Sequence, residues 1–202
     1  KFFTDNPYIL VAHHLDSYND FFNNGIKRIF KQKNPIKIMK ELDEETNEYN
    51  YRCNIYLGGK EGDRIYFGKP IIYDEINSNE NRPHFMYPNE ARLRNMTYGT
   101  TIHFDLELDY FIKEEVEGEM KMIESTEIIP QIYLGKFPIM LNSELCILNK
   151  LDRHVKFNMG ECKNDPGGYF IVDGKEKVIV CQEKFADNML YIRDKGDDLY
   201  SH

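Results

Sequence analysis

The residues with the types and spacing to do chemistry cluster in ECKNDPGGYFIVDGKEKVIVCQE, Glu161 to Glu183. Two glycines follow a proline, an Asp-Gly pair follows an apolar run, and Lys175 and Lys177 stand two apart. Glycines ahead of a Gly-Lys pair invite comparison with a phosphate loop. That loop has four residues between its first Gly and Gly-Lys, then Ser or Thr. Here five residues separate Gly168 from Gly174, and Glu176 follows Lys175. The intervening YFIVD reads as a strand, which cannot cradle a phosphate, so the glycine pair is a tight entry into that strand. Lys175, Lys177, Lys184 and Arg193 form a basic group with two open readings. One is contact with a nucleic-acid backbone; the other is solubilising charge, since acidic neighbours nearly cancel it.

Other candidates carry less. His13 and His14 are adjacent, and neighbouring helical residues point about 100° apart, so no convergence on one ion is expected. None of the four cysteines, Cys53, Cys146, Cys162 and Cys181, has a partner at the two-to-four-residue spacing typical of structural zinc. Each lies among apolar or strand-like neighbours, which predicts buried, reduced thiols and a reducing compartment. The one sequon, Asn95-Met96-Thr97, is then unused. Glu114, Glu115, Glu117 and Glu119 fall at a predicted bend and read as a solvated face, because acid–base work needs burial and a shifted pKa. Arg92 and Arg94 in PNEARLRNMTYGTT suit surface ion pairs or a polar contact to phosphate or a partner carboxylate. The sequence offers no catalytic residue and no metal site.

The elements that must position these groups follow from periodicity. A chain of 202 residues with 41% hydrophobic and 30% charged residues buries a core without staples and makes one or two domains. Its formal net charge of −8 argues against a free-standing DNA-binding protein. The acidity lies in ELDEETNE and around 105–119, whereas residues 150–195 hold nine basic against eight acidic residues. No apolar run is long enough for a membrane span. The start, KFFTDNPY, has neither an initiator Met nor a signal pattern, which suggests a processed chain or part of a longer one.

Leu15, Tyr18, Phe22, Ile26 and Ile29 mark one face of a helix, with Gly25 as an interruption. Residues 31–50 read as a short helix and loop. Tyr51 to Leu57 and Arg64 to Tyr73 read as a hairpin turned by GGKEGD. In TTIHFDLELD, Ile102, Phe104, Leu106 and Leu108 face a core, and His103, Asp105, Glu107 and Asp109 face water. After a bend at 115–118, a strand begins near Met120. Ile128 to Leu141 is an edge or bulged strand broken by Pro130 and Pro138. SELCILNKL is a short buried helix. Asp173-Gly174 turns a final hairpin, buried on both faces, and a helix follows over Glu183–Leu190. The class is α+β: a mixed, mainly antiparallel sheet with hairpins and a few packing helices.

Four blocks in order, LDSYNDFF (15–22), YPNEARLRNMTY (87–98), LGKFPIML (134–141) and the Glu161–Glu183 segment, are similar to the N-terminal part of the second-largest subunit of multisubunit DNA-directed RNA polymerases. The type is the eukaryotic, archaeal and large-DNA-virus one, and the similarity covers nearly the whole chain. The resemblance implies a fold like the polymerase protrusion, a wall of the DNA cleft. Residues 1–202 would be a single domain, the first part of that protrusion, ending near the lobe insertion. The family's GGYFI-x-x-G-x-EKV-x-x-x-QE block is matched by Gly167, Gly168, Tyr169, Phe170, Ile171, Gly174, Glu176, Lys177, Val178, Gln182 and Glu183. The resemblance makes Lys177 the leading nucleic-acid contact, with Lys184 and Lys175 behind it. Lys184 stands where the family commonly has Arg, which makes it a looser phosphate partner. Lys163 and Asn164 stand where Pro is common. Arg92, Arg94, Gly167, Gly168, Gly174, Glu176 and Gln182 become structural or subunit-seam residues.

The implied role is non-catalytic, within a nucleotidyltransferase. Active-centre magnesium and the family's zinc belong elsewhere in the complete polymerase. The implied partners are the other subunits, the rest of its own subunit, template DNA, the RNA–DNA hybrid and transcription initiation factors, with no membrane. The site of action is the nucleus, or a cytoplasmic viral factory or virion, and the chain is not secreted; richness in Asn, Lys, Ile and Tyr is consistent with an AT-rich genome, and the wording of LGKFPIMLNSELCIL leans toward a large DNA virus. The alternative is a stand-alone protein-interaction module with a related fold.

Overall fold

The computed structural model describes residues 2–6, 8–43, 47–72, 83–116 and 119–182. After one helical turn, α1 (Phe2–Asp5), the apolar stripe forms α2 (Ala12–Asp20) and α3 (Ile26–Lys33), joined by a π-helical turn at Phe21–Gly25. A π turn holds an extra residue, which moves the stripe by one position beyond it. Tyr18, Phe22, Ile26 and Phe30 are buried at an even spacing of four, while Ile29 is 46% exposed. Asn34 then fastens the end of α3 to the sheet. Its side-chain amide donates to the Leu57 and Gly59 carbonyls, and its oxygen accepts from the Leu57 amide at 2.8 Å.

The main sheet contains β1 (Ile36–Asp43), β2 (Glu48–Leu57), β3 (Ile65–Phe67), β6 (Gly99–Val116) and β7 (Glu119–Pro138). β6 is central, pairing with β2 and β3 along one edge and with β7 along the other. β1 forms an edge against β2 where a short helix and loop were expected. The alternation of Ile36 and Ile38 is present, but the lysines and glutamate around it hide a strand that is exposed along nearly its whole length. The expected hairpin between β2 and β3 is also absent. Both strands run antiparallel to β6, Leu57 opposite Leu106 and Ile65 opposite Phe104, so they point the same way. GGKEGD is an excursion from one nearly continuous edge. The Gly58 amide donates to the Asp105 carbonyl and the Asp105 amide to the Arg64 carbonyl, which carries the ladder across the gap.

Ile102, Phe104 and Leu108 are buried as their alternation requires. Asp105 and Glu107 are buried too, although their positions predicted solvent. The excursion and the partner strand cover them with donors. Tyr66 and the Gln131 amide each donate to Asp105 at 2.9 Å. Lys60 lies 3.0 Å from Asp109, and both Lys60 and Arg64 lie 3.5 Å from Glu107. β7 starts one residue before the expected Met120. Among the described residues it pairs with β6 alone; it carries Pro130 within an irregular stretch and ends at Pro138, as an edge strand accommodates.

Smaller elements close the other end: β4 (Ile71–Ile72) with β5 (His84–Phe85), α4 (Pro88–Leu93), α5 (Arg153–Asn158), and β8 (Phe170–Val172) with β9 (Lys175–Lys177). SELCILNKL forms a single 3₁₀ turn over Ile147–Lys150 in place of the expected helix, although Ser143, Cys146 and Leu148 are buried. Two cores meet at β8. Phe170 packs with Tyr18, Phe22 and Phe104; Ile171 packs with Tyr98, Ile139 and Leu141. The fold is α+β with a mainly antiparallel sheet. Among the described residues no helix is long and apolar enough to cross a membrane. The helix expected over Glu183–Leu190 lies outside them, as do Lys184 and Arg193.

Candidate nucleic-acid and subunit interface

The β8–β9 hairpin is held from three sides. Asp173 and Gly174 have φ of 51° and 72°, the positive pair that a tight Asp-Gly turn requires. The Asp173 amide donates to the Thr97 hydroxyl, which donates back to the Asp173 carboxylate. The Gly174 amide donates to the Met96 carbonyl, and the Tyr98 amide donates to the Ile171 carbonyl. At the base, the Gly168 amide donates to the Leu141 carbonyl, and the Leu141 amide donates to that of Tyr169. Gly167 has φ +74°, and a Cβ there would lie 2.3 Å from the Leu141 carbonyl oxygen. Only glycine fits so close to another backbone.

Arg92 binds this base to α4. That helix starts on Pro88 at its first turn and ends where Asn95 takes φ of 51°. Near its end, the Arg92 guanidinium donates to both oxygens of Glu161 at 3.0 and 2.8 Å, to Glu176 at 2.8 Å and to the Tyr169 hydroxyl at 2.9 Å. Tyr169 donates onward to Asp165, whose other oxygen accepts from the Gly167 amide. Burial opposes the Arg92 charge, but the hydrogen bonds and charge of Glu161 outweigh it and hold its pKa above the ordinary arginine value. Burial, aided by Asp165, keeps Tyr169 a neutral phenol. Arg94 donates to Glu90 within its own turn, a lesser contact.

All three residues of β9 are exposed. Alternation puts Lys175 and Lys177 on one side and Glu176 on the other, toward Arg92. Neither lysine has an ion-pair partner among the described residues. Gln182 is exposed beyond the strand, and Lys184 lies outside the described residues. The hairpin is not buried on both faces: β9 ends at Lys177, and Val178, Ile179 and Val180 are exposed without strand pairing. The apolar composition of that stretch suits a face that more protein would cover, which periodicity cannot distinguish from a core.

Two further expectations change. Cys146 is buried and Cys53 half-buried, but Cys162 and Cys181 are exposed free thiols. His13 and His14 do come together, with ring centroids 4.0 Å apart, and Cys181 joins them. Their backbone directions diverge, but rotation about the side-chain bonds of these accessible residues brings the rings together. Sequence reading also missed Glu161, Asp165 and Tyr169 as the partners that organise Arg92; their shared block was the only signal.

A family model described as RNA polymerase beta subunit matches residues 9–193. The chain is 35% identical over 193 residues to DNA-directed RNA polymerase subunit Rpo2N of Methanothermobacter thermautotrophicus strain Delta H, covering 96% of this chain and 31% of that protein. It is 33% identical over 197 residues to DNA-directed RNA polymerase II subunit RPB2 of Meyerozyma guilliermondii, covering 93% and 15%. Against DNA-directed RNA polymerase II subunit 2 of Arabidopsis thaliana it is 32% identical over 186 residues, covering 92% and 15%. The chain thus spans less than a third of the length of these relatives.

Proposed function

We propose that this chain, which belongs to the RNA polymerase beta-subunit family, is a structural, cleft-forming part of the second-largest subunit, the first part of its protrusion. It supports DNA-templated RNA synthesis by shaping the cleft and by weak contact with nucleic-acid backbone. The observation that carries this is the charge sorting on β9. Arg92 holds Glu176 on one side, which leaves Lys175 and Lys177 exposed on the other with no carboxylate paired to them among the described residues. Lys177 leads, and Lys175 and Lys184 add to it. Such contacts position a duplex and carry no sequence information.

We assign nucleotidyl transfer and its magnesium to other parts of the enzyme. Other polymerase subunits and the rest of this subunit are the proposed protein partners, with template DNA, the RNA–DNA hybrid and initiation factors completing the set. The exposed apolar end of the main sheet supports this. Ile36, Ile38, Tyr51 and Ile123 share one face by register and remain exposed. The place of action follows transcription, in a nucleus, or in a cytoplasmic viral factory or virion. Relatives named as polymerase subunits do not favour a stand-alone interaction module.

A photoreactive side chain at position 177 in the assembled polymerase tests the reading. Crosslinking to DNA or RNA in complexes that still extend RNA is expected. Extension without any crosslink would remove the hairpin from the nucleic-acid path.

A further inference from the structure

We propose that His13, His14 and Cys181 form a zinc site that clips the start of α2 to the stretch following β9. Each residue offers one ligand atom, and the three atoms lie within 4.8 Å of one another. In tetrahedral zinc sites the bonds are about 2.0–2.3 Å, which puts neighbouring ligand atoms roughly 3.3–3.6 Å apart by the tetrahedral angle. Exposed side chains need only small rotations to close that difference. His13 and Cys181 are exposed and His14 is half-buried, so an ion can reach all three.

The donor set selects the metal class. Two imidazoles and a thiolate are borderline-soft ligands, which favour zinc over magnesium or calcium. Three protein ligands leave a fourth position for water or a partner's side chain. The cluster is built by the fold as well as by local sequence. Gly168 lies so close to Val11 that an added Cβ would stand 2.9 Å from the Val11 Cβ. The entry to α2 is thereby seated against the base of the hairpin. From there, Val178 to Val180 run without a ladder and bring Cys181 back to the histidines.

The metal has a mechanical use. A bond between residue 14 and residue 181 closes nearly the whole chain, and cross-links that close long loops remove the most unfolded-state freedom. It also fixes the direction in which the chain leaves β9 toward Gln182. Binding converts the Cys181 thiol to thiolate and releases its proton to solvent. This site does not depend on the polymerase role.

Cobalt(II) and zinc titrations of the intact chain test it, with far-UV circular dichroism confirming that each variant is folded. The expected result is one Co²⁺ per chain, with a sulfur-to-cobalt charge-transfer band and tetrahedral d–d bands, displaced by one Zn²⁺. Cys181→Ser abolishes the charge-transfer band. Cys181→Ser and His14→Gln each weaken zinc binding by more than about 100-fold, since even outer-shell changes cost about 10–100-fold. Cys162→Ser, at the other exposed cysteine, changes neither. Absence of a thiolate band, or equal zinc affinity in wild type and Cys181→Ser, overturns the proposal.

Discussion

Arg92 is the residue on which the candidate interface turns. It is 20% exposed in its side chain, and its main partner Glu161 only 4%. Truncating one member of such a pair leaves the other charge buried and unpaired. Arg92→Ala should therefore cost about 2–4 kcal/mol of unfolding free energy in urea denaturation. Arg92→Lys should recover only part of it, because an ammonium cannot fork to Glu161, Glu176 and Tyr169 together. A loss within about 0.5 kcal/mol for Arg92→Ala, the range of an ordinary surface change, would mean that the network is ornamental. Asp109 gives a pH prediction. The Thr126 hydroxyl, helped by Lys60 and opposed by burial, lowers its native pKa. The unfolded chain therefore binds a proton first as pH falls. The contribution of Asp109 is complete above its unfolded pKa of about 4 and is lost as pH falls through the lower native value. Asp109→Asn should flatten the fall in urea midpoint below about pH 4; an unchanged slope would remove Asp109 as a source of acid lability.

At the scale of elements, the β8–β9 hairpin and the interrupted helix make the strongest predictions. Gly167→Ala places a Cβ against the Leu141 carbonyl at a left-handed φ. It should destabilise by about 1–3 kcal/mol or more from backbone strain alone; a neutral effect on melting would show that the base of the hairpin can shift. The π turn makes a paired test. Phe22→Ala should cost about 3–5 kcal/mol as a core truncation, and Ile29→Ala less than about 0.5 kcal/mol as a surface change. A core-sized loss at Ile29 as well as at Phe22 would restore an unbroken α-helix. These elements also show what the sequence could disclose. Asp173-Gly174 marks its turn locally, and Ile102 to Leu108 mark their strand by strict alternation. A Gly-rich loop looks alike whether it reverses the chain or bulges from an edge, so β2 and β3 read as a hairpin. Period two puts Asp105 and Glu107 in water, because burial beneath Lys60, Arg64 and Tyr66 depends on a fold. Arg92 was singled out by type, but Glu161 lies 69 residues away and Tyr169 77; pairing over such distances leaves no local pattern. The exposed Val178–Val180 stretch reads as a core strand because apolar composition alone does not report burial.

For the whole molecule, a net charge of −8 and a role beside nucleic acid are compatible when charge is sorted locally. Arg64 and Lys60 are committed to Glu107 and Asp109, and Arg92 to Glu161 and Glu176, while Lys175 and Lys177 have no ion-pair partner among the described residues. The bare apolar end of the sheet fits a chain that completes its packing against further protein. The central claim is that the pinned hairpin offers its lysines to a polyanion. The salt dependence of complex stability tests it most directly, comparing wild-type assembled polymerase with Lys175→Glu/Lys177→Glu. If both lysines pair with phosphates, the slope of log affinity against log salt should become shallower by about one for each lysine–phosphate pair removed. An identical slope, with equal stability at every salt concentration, would contradict it.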